Sequence, residues 1–94
     1  MPAVAHYSLR YMGVVNQLLS TLDMCHDYVC IHEYANIALQ SVPGSADAHY
    51  WLVYAMQHLG TPEIARNQLH AAKQALTEDD YADVLKRLNM ADTE

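Results

Sequence analysis

The stretch CHDYVCIH, residues 25–32, places Cys25, His26, Cys30 and His32 within eight positions. Thiolate and imidazole are ligands that zinc takes, so a metal site is the sharpest chemistry this stretch could do. Its spacing argues against one. A structural zinc site opens with two ligands about two to four residues apart and closes with a second such pair further along the chain, whereas here all four fall in one short run. Cysteine beside histidine also suggests a nucleophile with its base, or a redox pair. Nucleophilic catalysis needs in addition a group that orients the base and donors for an oxyanion, and the chain has no GxSxG elbow, P-loop, HExxH or glycine-rich phosphate loop. The expectation is no metal, no cofactor and no catalytic residue, with both thiols buried as small apolar groups at a corner between helices. The acidic run TEDDYAD, residues 77–83, lacks the alternating oxygen ligands and central glycine of a calcium loop and reads as a solvated helix start. His6, His49, His58 and His70 form no pair with a carboxylate at the spacing of four that would suggest a metal, and are expected at the surface or half-buried.

The elements that carry these residues follow from the rest of the chain. Ninety-four residues form one domain, able to bury roughly 60 to 70 % of its unfolded surface without a metal or disulfide staple. Hydrophobic residues make up 52 % and charged residues 17 %, a globular composition. A net charge of −6 with five Lys plus Arg would oppose a phosphate backbone, so direct binding of nucleic acid is not expected. The amino terminus has no signal-peptide pattern and no apolar run reaches the ~18 residues of a membrane span, which predicts a cytoplasmic chain whose cysteines stay as thiols.

No stretch alternates with period two, and the chain reads as all-α. Val14, Val15, Leu18, Leu19 and Leu22 sit at helical spacing in a first helix over about 4–24. Asp27 caps a second helix that runs to about Ser41, before VPGS stops it. Ser45 caps a third, which ends at Gly60 in a left-handed conformation. Thr61 caps a fourth, with Pro62 at its first position and Glu63 on the N-terminal dipole, running to about Leu76. Thr77 and Asp80 form a variant capping box for a short fifth helix to about Leu88, and the tail NMADTE is expected to fray.

Residues 12–43 align with residues 46–77 at an offset of 34. Leu18 then falls on Leu52, Leu19 on Val53, Leu22 on Met56, Ile31 on Ala65, Ala35 on Leu69 and Ala38 on Ala72. Under this register ADAHYWLVYAMQHLGTPEIARNQLHAAKQAL resembles a tetratricopeptide repeat. HDYVCIHEYANIALQSVP resembles the second half of the preceding one, with Tyr28, Ala38 and Pro43 matching. His49 stands where a large hydrophobe is usual, Val53 where a small residue is, and His26 in place of the turn glycine. Over residues 7–88 the chain is similar to the bacterial transcriptional activator domain, the tetratricopeptide-like module that follows a winged helix in antibiotic-regulator-type transcription factors. The resemblance implies antiparallel helix pairs in a right-handed superhelix: repeat 1 over about 12–43, repeat 2 over about 46–77, and a capping helix over about 78–88. It also implies a module for self-association or protein contacts in transcription control.

In such repeats the first helix of each pair lines a concave groove, and carrying that over places Asn16, Ser20, Tyr50, Tyr54, Gln57 and His58 there as the partner-binding residues. Tyr50 and Tyr54 are neighbours one helical turn apart and combine contact area with a polar tip. Two readings of them stay open, an interaction surface or ordinary core against the first helix. With only two repeats, an edge on the first or the fifth helix is left open, so a homodimer or contact with a neighbouring domain is expected. A free-standing tetratricopeptide adaptor or chaperone that holds a partner peptide, and a metal-dependent or redox sensor using Cys25 and Cys30, are the alternatives.

Overall fold

The computed structural model describes the backbone of residues 2–88 and the side chains of residues 11–88. Five helices follow one another, α1 (Pro2–Met24), α2 (Tyr28–Ser41), α3 (Ala46–His58), α4 (Pro62–Ala75) and α5 (Glu78–Arg87), and no strand occurs among the described residues. Helix starts fall where a side chain can satisfy an orphan backbone N–H. Asp27 accepts from the N–H of Cys30 at 3.3 Å, Ser45 from that of Ala48 at 3.2 Å, and Thr77 from that of Asp80 at 3.2 Å. Thr61 departs from expectation and makes no capping bond to α4. Its hydroxyl donates backward to the Met56 carbonyl at 2.9 Å. Pro62 removes one of the N–H groups a cap would serve, while the last carbonyls of α3 lie within reach and lack intrahelical partners. His6 and the tail 89–94 lie outside the residues whose side chains are described.

The α1–α2 and α3–α4 turns carry the same hydrogen-bond ladder, shifted by 34 residues. In the first, Cys25 N–H reaches Thr21 O, His26 N–H reaches Asp23 O, and Asp27 N–H reaches Leu22 O; in the second, Leu59 reaches Ala55, Gly60 reaches Gln57, and Thr61 reaches Met56. Such a ladder closes only if its central residue turns left-handed. Gly60 does so at φ 78° and His26 at φ 58°. That conformation costs a residue with a side chain about 1 kcal/mol or more. The edge contact of the His26 ring with Tyr28, centroids 6.1 Å apart, offsets part of it. His26→Gly is therefore expected to stabilise the fold by about 0.5 kcal/mol, net of glycine's greater freedom in the unfolded chain. The rise in melting temperature should be a few degrees.

Antiparallel helix pairs stack with α3 at the centre, packed against α2, α4 and α5 and, at its edge, α1. This position explains why α3 is apolar nearly all round: Ala48, His49, Trp51, Leu52, Val53, Ala55 and Met56 are all buried. Leu19, Ile31, Ala35 and Ala38 complete the core on one side, and Ala65, Leu69, Ala72, Val84 and Leu85 on the other. Leu19 and Val53, Ile31 and Ala65, Ala35 and Leu69, and Ala38 and Ala72 match in burial as well as in sequence register. Leu18 does not match Leu52: it is 41 % exposed against 2 %. Leu52 is enclosed between helix pairs, while no described helix covers the outer side of α1. Of the two ends of the stack, the open apolar edge is therefore α1; no large hydrophobic residue of α5 is exposed.

Candidate functional site

Of the six residues expected along one face, α3 brings Tyr50, Tyr54 and His58 into contact. The Tyr50 and Tyr54 rings lie 5.8 Å apart at 26°, and His58 meets Tyr54 at 4.4 Å. Tyr28, from the first turn of α2, stacks on His58 at 4.3 Å and 9°. The result is a continuous strip of four rings, half-buried at the tyrosines and exposed at His58. Gln57 and Ser20 are exposed. Tyr54 donates its hydroxyl to Asp23 of α1 at 2.6 Å. Its phenol is held well above the ordinary tyrosine range, first by loss of water around it and then by that carboxylate. The Asp23 bond fixes the orientation of the Tyr54 ring within the strip.

Asn16 is half-buried and turns its amide toward α3. Its Oδ1 accepts from Trp51 Nε1 at 3.0 Å and its Nδ2 donates to Asp47 Oδ2 at 3.0 Å. Asp47 Oδ1 in turn accepts from Arg87 Nη1 of α5 at 2.6 Å, and the guanidinium lies over the Tyr50 ring, 4.1 Å from its centroid. One polar chain thereby ties α1, α3 and α5. Partial burial would raise the Asp47 carboxyl, but the hydrogen bonds from Asn16 and Arg87 and the guanidinium charge outweigh it and leave it below the usual carboxylate value. Arg87→Ala removes an ion pair about a third exposed and a cation–π contact, each worth roughly 0.5 to 1 kcal/mol in such settings. Chemical denaturation should show a loss of about 1 to 1.5 kcal/mol, with amide exchange quickening first in α5.

Asp23, Asp47 and Arg87 take part in this face without having been singled out in the sequence, and Tyr28 was noted there only as a match to the repeat pattern. Their partners lie far along the chain, 31 residues for Tyr54 with Asp23 and 40 for Arg87 with Asp47. The usable signal was Tyr28, which matches the repeat pattern at the start of a second helix.

The Cys/His corner is not a buried pocket. Cys25 is exposed and Cys30 half-buried, both as free thiols, which corrects the expectation of two buried ones. Cys25 follows the last residue of α1 and sits in the turn, while Cys30 occupies the first turn of α2 beside its capping carboxylate. The Asp27 hydrogen bond, then burial and the charges of Asp27 and Glu33, push the Cys30 thiol above its ordinary value. Metal ligation and nucleophilic attack both need the thiolate, which this setting disfavours. Among the described residues no three His, Cys, Asp or Glu side chains converge in a geometry that could hold a metal ion.

His49 is the second correction. Expected at the surface or half-buried, it is 3 % exposed on α3. Its Nε2 donates to the Pro43 carbonyl at 3.0 Å, and Nδ1 has no partner. Leu52 and Val53, one helical turn on, are also buried, so His49 lies on the inward side of α3 and its imidazole is drawn into the core. Among the described residues no helix is long and apolar enough to cross a membrane. In comparisons with known proteins, the chain matches no family model, no curated protein and no solved structure.

Proposed function

We propose that this chain is a non-catalytic protein-interaction module of a bacterial transcriptional regulator, acting in the cytoplasm and contacting protein rather than nucleic acid. The observation that carries the reading is the strip Tyr50, Tyr54, His58 and Tyr28, four rings in mutual contact and none of them buried. Tyrosine contributes large contact area at small conformational cost and is enriched where interfaces hold most of their energy. The strip stands on a packed helical frame, held at its Tyr50 end by Arg87 and within it by the Asp23 bond to Tyr54, so a partner would meet it already ordered. Support for the regulator setting comes from the resemblance of residues 7–88 to the activator domain and from the turn ladder that recurs at 34 residues. The acidic balance of the chain favours a protein partner over a phosphate backbone.

The test compares proteins captured from bacterial extract by the wild-type chain with those captured by Ser20→Glu, which should leave the melting unaltered, and His58→Ala, which should keep the circular dichroism and cost about 1 kcal/mol through its ring contacts. A winged-helix or other transcription protein held by the wild type and lost by both variants supports the proposal. An unchanged set of captured proteins overturns it. A captured partner that shares a linear peptide segment and has no part in transcription moves the reading to an adaptor.

A further inference from the structure

The helices α1 and α3 place equivalent positions in opposite surroundings. Ala48, Trp51, Leu52 and Ala55 of α3 are buried, whereas their counterparts 34 residues earlier, Val14, Gln17, Leu18 and Thr21 of α1, are all exposed. Val14 is 68 % exposed where Ala48 is fully buried. Tyr11, Val14, Leu18 and Thr21, continued by Cys25 at the turn, recur at alternating steps of three and four residues, the spacing of a seam between two helices lying side by side. Between Tyr11 and Leu22 there is no Asp, Glu, Lys, Arg or His, in a chain of net charge −6.

We infer that a second copy of this chain docks on the α1 stripe, antiparallel to the first, with Leu18 at the two-fold axis. This rests on the reading of the chain as an interaction module and names one of its partners. A two-fold pair sets the same patch against itself, so the patch must be self-complementary. Two bodies that each carry −6 repel, and they approach with least repulsion where neither presents a charge, which is this stripe. Leu18 lies midway between Tyr11 and Cys25, and an antiparallel arrangement opposes the two helix dipoles favourably. The stripe is about 21 Å long at ~1.5 Å per residue. A helix pair of that length buries on the order of 800 Å² in total, less than the ~1,200 Å² at the lower end of stable interfaces. The dimer is consequently expected to be weak and transient.

Sedimentation velocity on the whole chain from about 1 µM to about 1 mM tests this. The wild type is expected to shift from monomer to dimer across the range, Leu18→Glu to remain monomeric throughout, and Ser20→Glu, on another face of α1, to dimerise as the wild type does. In a Cys25→Ser, Cys30→Ser background, Leu18→Cys should link to itself on oxidation and give a covalent dimer. Wild type that stays monomeric at the top of the range overturns the inference, as does Leu18→Glu dimerising normally or Leu18→Cys failing to link. Ser20 lies on the line of Asn16 and Asp23, the α1 residues that reach α3, while Leu18 lies on the stripe, so failure of one proposal is distinguishable from failure of the other.

Discussion

Asn16→Ala is expected to destabilise the protein by about 2 to 3 kcal/mol, a substantial part of the 5 to 15 kcal/mol that holds a domain of this kind together. The size follows from what is left behind. Trp51 is 7 % exposed, so without Asn16 its indole N–H becomes a buried donor with no acceptor, which costs about 1 to 3 kcal/mol. Asp47 loses one of its two donors and keeps Arg87 alone. Urea denaturation followed by the fluorescence of Trp51, the one tryptophan of the chain, reads both effects, since the emission reports the indole's surroundings directly. Asn16→Asp separates them. It keeps the acceptor for Trp51 but sets a second carboxylate against Asp47, and this repulsion holds the new carboxyl above its ordinary value of about 3.9. The penalty is then fully present at neutral pH and is relieved as acidification protonates the pair. A residue reserved for a partner would behave differently: both substitutions would stay within about 0.5 kcal/mol, the usual range for surface positions.

The contrast between Asn16 and its neighbours shows what the sequence could and could not reveal. Five helices, the Asp27, Ser45 and Thr77 caps and the left-handed turn at Gly60 were legible because each depends on residues within about five positions of one another. The positive φ at His26 was legible in the same way, as the counterpart of Gly60. Three things were not. Leu18 and Leu52 are the same residue type in the same register, yet their exposure differs twentyfold, because burial depends on which helix lies alongside. Asn16 was assigned to a partner-facing groove on register alone, but its amide is consumed by groups 31 and 35 residues away. Tyr50 was left open between core and interface, and the structure leaves it half-buried, with Arg87 over its ring and Tyr54 stacked beside it, contacts that register alone does not give.

His49→Leu carries the other large expectation: a gain of about 1 kcal/mol at neutral pH that widens on acidification. At neutral pH the imidazole keeps one good bond, Nε2–H to Pro43 O, which fixes the tautomer and leaves Nδ1 as a bare, buried acceptor. Leucine, of similar volume, removes that orphan. Pro43 is exposed, so its carbonyl can turn to water instead. The pH term has a definite sign. Burial lowers the His49 pKa in the folded state, and the Pro43 bond, which acts the other way, does not compensate. The unfolded chain therefore takes up a proton near pH 6.5 while the folded chain does not. Proton uptake at His49 thus adds no further cost above about pH 6.5 and withdraws stability as pH falls below it, by at most ~1.4 kcal/mol per unit until the folded imidazole also titrates. Subtracting the wild-type from the His49→Leu stability curve between pH 8 and 5 cancels every carboxylate and histidine that the two share and leaves this one group. His49→Gln provides the control, since it retains a donor for Pro43 and cannot charge, so its curve should lose the acid slope without the gain at neutrality. Parallel wild-type and leucine curves over the whole range would mean that the folded core accepts the imidazolium as readily as water does, and the burial argument would fail.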